Sequence, residues 1–210
     1  MRPLRIAVAA GALIIVAALG AAANSTPDKP APKPVIATSL KPVSAFAGIK
    51  DKKARSLALF AEVGKVIQHP RCLNCHPAGE RPTQTEAMRP HMPWVVRRDG
   101  GLGAAGLHCF TCHHEKNFDV AGVPGNPKWA LAPAEMAWQG KTLGQICTQI
   151  KDKERNGGRD MPELIHHMAE DELVGWGWHP GGKRAPAPGT QKQFGELFSA
   201  WAASGAYCPA

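Results

Sequence analysis

Two five-residue stretches of the chain carry cysteines and a histidine in the same order. Residues 72–76 and residues 109–113 both have the sequence Cys-x-x-Cys-His. Cysteines three positions apart stand one helical turn from each other, so both sulfurs can form thioethers with the two vinyl groups on one haem edge. The histidine that follows is then carried under the ring, where its imidazole can bind iron. The pattern therefore predicts two covalently attached c-type haems. The attachment residues would be Cys72, Cys75, Cys109 and Cys112, and the proximal iron ligands His76 and His113.

The same cysteines permit other chemistry. Two Cys-x-x-Cys pairs separated by a long loop can close a tetrahedral thiolate site around zinc, and four cysteines can form two structural disulfides. Neither alternative explains why a histidine follows both pairs. With 9 histidines among 210 residues, this coincidence favours haem attachment, and a zinc-stabilised interaction module is the alternative.

The sixth ligand of each iron decides what the haems can do. Seven histidines remain after the proximal pair, which favours bis-histidine ligation and lower reduction potentials than His/Met ligation gives. We choose His114 because it adjoins a proximal ligand, His167 because it lies on a predicted helix beside apolar residues, and His91 because flanking prolines would hold its loop over a haem face. The other candidates are His69, His108, His166, His179, Met88, Met92, Met136, Met161 and Met168.

Two cysteines remain outside the motifs. Cys147 lies on the apolar face of a predicted helix, and Cys208 lies just past the last one. In an oxidising compartment such a pair most economically forms a disulfide, which would fasten the C-terminal helix to the domain. A buried thiol and an exposed thiol are the alternative.

The elements that must position the motifs are helices and loops. Only 33 residues separate Cys75 from Cys109, too few for two separate single-haem domains, so the haems must share one small core and lie close together. Apolar spacing and capping residues predict helices over residues 51–68, 142–151, 160–175 and 190–205. We therefore expect a mainly α, loop-rich, compact multihaem cytochrome c-like domain with little or no β-sheet.

The N-terminal residues indicate export, which c-type haem attachment requires. Arg2 and Arg5 precede an uncharged apolar run over residues 6–23, and small residues at its end suit cleavage before Asn24. We expect residues 1–23 to be a signal peptide and the protein to be periplasmic. An uncleaved run is the alternative, and it would anchor the chain to the outer face of the inner membrane through residues 6–23.

Composition limits the remaining possibilities. Residues 24–50 are rich in proline and lysine, typical of a semi-rigid tether, and residues 51–210 would form the haem domain. Cleavage would remove two arginines and no acidic residue, so the formal charge of +8 would fall to +6. This charge could steer docking onto an acidic partner protein. Scattered basic residues without interleaved aromatics argue against nucleic-acid binding.

Three further segments carry a resemblance to a known family. Together with the two motifs, residues 125–129 (GNPKW), 136–140 (MAWQG) and 175–178 (GWGW) resemble small exported proteins named as subunits of isoquinoline 1-oxidoreductase. That name belongs to a molybdenum hydroxylase, but this chain has neither a molybdopterin-sized domain nor the cysteine spacing of plant-type [2Fe-2S] clusters. The resemblance implies an electron acceptor that serves such a dehydrogenase, not the catalyst.

The leading interpretation is a dihaem electron carrier. It would accept electrons from an exported or membrane-bound dehydrogenase and pass them to the respiratory chain, with both irons six-coordinate. This makes the protein an electron-transfer subunit and not an enzyme. The rival is a haem enzyme of the peroxidase or reductase type, in which one iron stays five-coordinate and binds a small oxidant.

Overall fold

A computed structural model of the protein describes residues 38–210. The predicted signal peptide, residues 1–23, and the first half of the predicted tether lie outside the described residues. Within residues 38–210, no helix is both long enough and apolar enough to cross a membrane. The described part includes the whole of the predicted haem domain.

Helices make up most of the regular structure. They account for 41% of the described residues and strands for 6%, so the mainly α prediction is confirmed. The α-helices are α1 (Lys52–Ile67), α2 (Pro70–Leu73), α3 (Leu143–Lys151), α4 (Met161–Glu170), α5 (Glu172–Gly175) and α6 (Gln191–Ala203). Short 3-10 helices cover Val43–Phe46, Asp99–Gly101, Cys109–Thr111, Ala134–Met136 and Trp176–Trp178.

Two very short antiparallel hairpins lie between the cysteine motifs. In the first, β1 (Thr83–Gln84) pairs with β2 (Arg89–Pro90), and in the second, β3 (Gly103–Ala104) pairs with β4 (Leu107–His108). The second hairpin leads directly into the second motif. Apart from the short 3-10 helix Asp99–Gly101, the rest of this region is loop, in agreement with its content of glycine and proline.

Local sequence signals explain where the helices begin and end. The carboxylate of Asp51 accepts a hydrogen bond from the amide of Ala54 at 2.7 Å and caps α1. The residue before Pro70 is extended, with φ −73° and ψ 146°, which separates α1 from α2. Capping boxes, in which side chain and backbone of two residues bond reciprocally, open the three longer C-terminal helices. The pairs are Thr142 with Gln145, Asp160 with Glu163, and Thr190 with Gln193.

Helix α6 forms the centre of the core. It packs against both α1 and α4. Its Trp201 ring lies 4.7 Å from Phe60 of α1 and 5.0 Å from Phe198, centroid to centroid, and all three are fully buried. A side chain at Gly195 would place its Cβ 2.5 Å from the Cβ of Ala169, so glycine permits the close approach of α6 to α4.

The compact part of the described chain begins before residue 51. Leu40 and Phe46, which lie in the segment that we predict as a tether, are buried in the core. The amide of Lys41 donates a hydrogen bond to the carboxylate of Glu62 in α1 at 2.8 Å. The 3-10 helix Val43–Phe46 in this segment therefore packs beside α1 and α6. The proline-rich composition of the segment does not indicate this packing.

The C-terminal tail is joined covalently to the domain. Cys147 of α3 and Cys208 form a disulfide with an Sγ–Sγ distance of 2.06 Å. Cys147 is fully buried. The bond brings the residues after α6 back onto α3, which is the connection that we predict for this pair.

Candidate functional site

The first motif is organised by one turn of helix. His69 caps α2, and its Nδ1 accepts a hydrogen bond from the amide of Arg71 at 3.2 Å. The amide of Cys75 donates to the carbonyl of Cys72 at 3.1 Å, and the amide of His76 donates to the same carbonyl at 3.2 Å. Two thiols and an imidazole are therefore held on one compact turn.

The ring of His76 is fixed on two sides. Its Nδ1 lies 2.7 Å from the carbonyl oxygen of Met136, and its face stacks on Trp138 at 3.6 Å between centroids with 5° between the planes. A carbonyl oxygen can only accept, so Nδ1 carries the proton and donates. The lone pair of the neutral ring is then on Nε2, the nitrogen left to bind a metal ion.

The second motif has the same arrangement on a different scaffold. The 3-10 helix Cys109–Thr111 turns the chain, and the amides of Cys112 and His113 both donate to the carbonyl of Cys109, at 3.2 and 2.8 Å. The Nδ1 of His113 lies 2.8 Å from the carbonyl oxygen of Pro124. Its ring stacks on Trp129 at 4.7 Å and 17°. Again Nε2 is the nitrogen available to a metal ion.

Each motif opens onto its own cavity. The His76 cavity has a volume of about 280 Å³ and is lined by both thiols and the imidazole of the first motif. The His113 cavity has a volume of about 380 Å³ and is lined by the same three groups of the second motif. The two cavities adjoin because five residues line both of them. These shared residues are Arg71, Cys75, Ala130, Leu131 and Trp176.

The His113 cavity contains His91 as a second imidazole. The centroids of the His91 and His113 rings are 5.8 Å apart, with 59° between the planes. An imidazole nitrogen lies about 2 Å from a metal ion that it binds, so the centres of two rings on opposite sides of one ion are about 6 Å apart. The Nδ1 of His91 lies 3.0 Å from the carbonyl oxygen of Pro93, which again leaves Nε2 available.

The His76 cavity contains His167 of α4 as its second imidazole. The Nδ1 of His167 lies 3.5 Å from the Oδ2 of Asp171, one helical turn further along. A carboxylate that accepts from Nδ1–H orients the ring and favours Nε2 as the metal-binding nitrogen. Met168, which is buried, also lines this cavity.

Three of the histidines that line the cavities, His76, His113 and His167, have a lowered pKa and are therefore neutral. Burial lowers the pKa of His76 to about 4, opposed by the carbonyl of Met136 and reinforced by nearby positive charge. Burial also lowers the pKa of His113. The pKa of His167 is lowered by burial and then by the charge of Arg159, against the opposing effect of the adjacent carboxylate. Neutral imidazole is the form that binds metal ions.

The cysteines of the first motif are neutral thiols. Burial raises the pKa of Cys72 to about 12 and that of Cys75 to about 11. In the second motif, burial raises the pKa of Cys109. Reduced, unpaired thiols at these positions are what thioether formation with vinyl groups requires.

The structure separates the three histidines that we choose as distal ligands. His91 and His167 each line a cavity with a proximal histidine, whereas His114 is exposed and lines neither. His114 instead borders a shallow surface depression beside Phe110. Adjacent residues on a turn direct their side chains differently, so adjacency to His113 does not bring His114 to the same cavity.

The remaining predicted candidates are distributed over several environments. His108 lines the His113 cavity, and its buried Nδ1 has no hydrogen-bond partner among the described residues. His69 is buried outside both cavities, where it caps α2. His166 and His179 are exposed.

The sequence pattern predicts no role for several residues of the site. Trp129 and Trp138 stack on the proximal histidines, and Arg71 lines both cavities. The resemblance includes both tryptophans but gives no reason for them. No local signal identifies the carbonyls of Met136 and Pro124, because any residue type supplies a carbonyl.

The groups in each cavity fit a covalently attached haem. Each cavity offers two thiols on one turn, an imidazole with Nε2 available, a second imidazole whose Nδ1 lies next to an oxygen acceptor, and largely apolar walls. Comparison with known proteins adds no assignment. The chain matches no family model, no curated protein and no solved structure.

Proposed function

We propose that the protein is a dihaem c-type cytochrome that carries electrons outside the cytoplasm. One observation supports this proposal above the others. In each cavity two histidines have Nδ1 next to an oxygen acceptor, which makes Nε2 the metal-binding nitrogen on both. Histidines that bind metal ions almost always engage their other nitrogen in this way.

The side chains have separate tasks in this function. When bound, the haems supply iron centres that gain and lose one electron. The thiols of Cys72 and Cys75, and those of Cys109 and Cys112, attach the two groups. His76 with His167, and His113 with His91, would hold the two irons, which would exclude small ligands and favour electron transfer over catalysis.

The two cavities also support transfer within the molecule. They share a wall, so two bound groups would lie close enough to exchange electrons and to affect each other's potentials. The partners proposed are a dehydrogenase as electron donor and a component of the respiratory chain as acceptor, as the family resemblance implies. Export to the periplasm, with or without an N-terminal anchor, would place the protein between them.

A haem count tests the proposal. Protein matured with the haem-attachment machinery should give two thioether-linked haems per chain in a pyridine haemochrome assay. The double variant Cys109→Ser/Cys112→Ser should retain one, and Cys147→Ser, outside both motifs, should retain two. A colourless protein that contains zinc would overturn the proposal in favour of an interaction module.

Ligand binding distinguishes the carrier from the enzyme. With both irons six-coordinate, the reduced protein should not bind carbon monoxide rapidly. Rapid stoichiometric binding at one haem would favour a peroxidase or reductase instead.

A further inference from the structure

Arg71 occupies the wall between the two cavities. It directly precedes Cys72, its side chain is only 3% exposed, and it lines both the His76 cavity and the His113 cavity. A buried guanidinium is costly unless its charge and its hydrogen-bond donors are matched by partners. The groups around Arg71, and any donor that they leave unpaired, therefore indicate what kind of ligand its guanidinium binds.

The partners of Arg71 within the described residues do not fully satisfy it. Its Nη2 donates to a carboxylate oxygen of Glu86, but the side chain of Glu86 is 41% exposed and also accepts from the amide of Ala185 at 3.2 Å. The Nε of Arg71 is buried and has no hydrogen-bond partner in residues 38–210. A buried donor is thus left for an acceptor that residues 38–210 do not provide.

Each cavity has one other arginine, and that arginine is not shared. Arg159 lines only the His76 cavity, where its Nη1 donates to the carbonyl of Asn156 at 2.9 Å. Arg184 lines only the His113 cavity, where its Nη1 donates to the carbonyl of Pro180 at 2.8 Å. Arg159 and Arg184 therefore serve as matched controls, because each places its charge at one cavity whereas Arg71 places its charge at both.

We propose that Arg71 is a carboxylate-binding residue shared by the two haem sites, and that its charge raises the reduction potentials of both haems. This inference rests on the proposed function. Haem carries propionate carboxylates, which accept the charge-assisted hydrogen bonds that a guanidinium donates. Reduction adds one negative charge at the iron, so a fixed positive charge in a region of low dielectric constant favours the reduced state.

Spectroelectrochemical titration of the mature dihaem protein tests the inference. Arg71→Gln should lower both midpoint potentials. Arg159→Gln should lower only one of them and Arg184→Gln only the other, which also assigns the two transitions. Arg71→Lys, which keeps the charge, should restore both midpoints most of the way to the wild-type values.

Glu86→Gln provides an independent readout with Arg71 in place. It removes the carboxylate that offsets the guanidinium charge, so both midpoints should rise, opposite in sign to Arg71→Gln. If Arg71 and Glu86 formed only a structural ion pair, Arg71→Gln and Glu86→Gln would lose the same stability and leave both midpoint potentials unchanged. That result would overturn the inference. A shift of only one midpoint in both Arg71→Gln and Glu86→Gln also overturns it.

Failure of the inference and failure of the proposed function are distinguishable. If the haemochrome assay finds two haems and the midpoints do not respond as stated, only the role of Arg71 is lost. If no haem is attached, the proposed function is lost with it. If Arg71→Gln does not mature, the sign of the shift in Glu86→Gln decides the result.

Discussion

At both motifs a main-chain carbonyl decides which nitrogen of the histidine can bind a metal ion. The carbonyls of Met136 and Pro124 accept from Nδ1 of His76 and His113, so both rings are held with Nε2 available. A tryptophan stacked on each ring restricts its rotation. The polypeptide itself therefore fixes the orientation of both imidazoles, which would lower the entropic cost of forming a metal site.

The distal assignments differ in how a single substitution should act. His91→Ala should remove the second imidazole that would hold an iron in the His113 cavity, because the His91 ring lies 5.8 Å from the His113 ring. We expect the reduced variant to bind one carbon monoxide per chain, measured by the change in the Soret band. His114→Ala is the matched control, since His114 is exposed, and it should bind none.

The contrary result would be equally clear. If His114→Ala bound carbon monoxide and His91→Ala did not, the pairing of His91 with His113 would be wrong. If neither variant bound carbon monoxide, His108, which lines the same cavity, would be the next candidate for the second imidazole.

Part of the site could be predicted from the sequence because the motif is local. Five consecutive residues contain two thiols and an imidazole, and their spacing alone predicts that these groups lie together on one turn. The contact of His76 with Met136 spans 60 positions and depends on how the loop folds back. For the same reason the sequence could not show that His91, and not His114, lines the same cavity as His113.

At the scale of elements, helix α4 belongs both to the core and to the wall of the His76 cavity. It carries His167 toward the His76 cavity and packs against α6 in the core. Its first turn is fixed by a capping box, in which the amide of Glu163 donates to Asp160 at 3.0 Å and the amide of Asp160 donates to Glu163 at 2.7 Å. The cap formed by Asp160 and Glu163 thus fixes the first turn of the helix that carries His167.

Removing this cap should weaken the domain without removing a ligand. We expect Asp160→Ala to lower the free energy of unfolding by about 1 kcal/mol, because the amide groups of the first turn lose their acceptor. Urea unfolding followed by circular dichroism measures the change. The exposed Lys153→Ala should leave the free energy unchanged, and equal effects in the two variants would contradict the role of the cap.

The elements that could be predicted are those with signals in their own sequence. Asp51, Thr142, Asp160 and Thr190 cap helices at the predicted positions, because capping involves residues only a few positions apart. The burial of Leu40 and Phe46 could not be predicted in the same way. The 3-10 helix that contains Phe46 contacts α1 and α6, and Leu40 lies beside Gly189; a proline-rich composition gives no indication of such distant contacts.

At the scale of the whole molecule, a loop segment over residues 130–132 lies between the two motifs. The amide of Ala132 donates to the carbonyl of Cys75 at 3.1 Å, and the amide of Leu131 donates to the carbonyl of Gly101 at 3.0 Å. Ala130 and Leu131 line both cavities. The closeness of the two cavities, which agrees with the short spacing of the motifs, is thus achieved by a loop segment that lines both of them.

The disulfide between Cys147 and Cys208 should stabilise the molecule independently of the haem sites. The two residues are 61 positions apart, and cross-linking a loop of this length stabilises a fold by about 4 kcal/mol in the chain-entropy description. We therefore expect a reducing agent to lower the free energy of unfolding by an amount of this order, measured by urea denaturation. The double variant Cys147→Ala/Cys208→Ala under the same conditions is the control, because any effect of haem reduction appears in both proteins. Thioether bonds resist thiol reagents, so both proteins should keep two haems per chain, and an equal response to the reducing agent in the two proteins would show that the disulfide does not stabilise the fold.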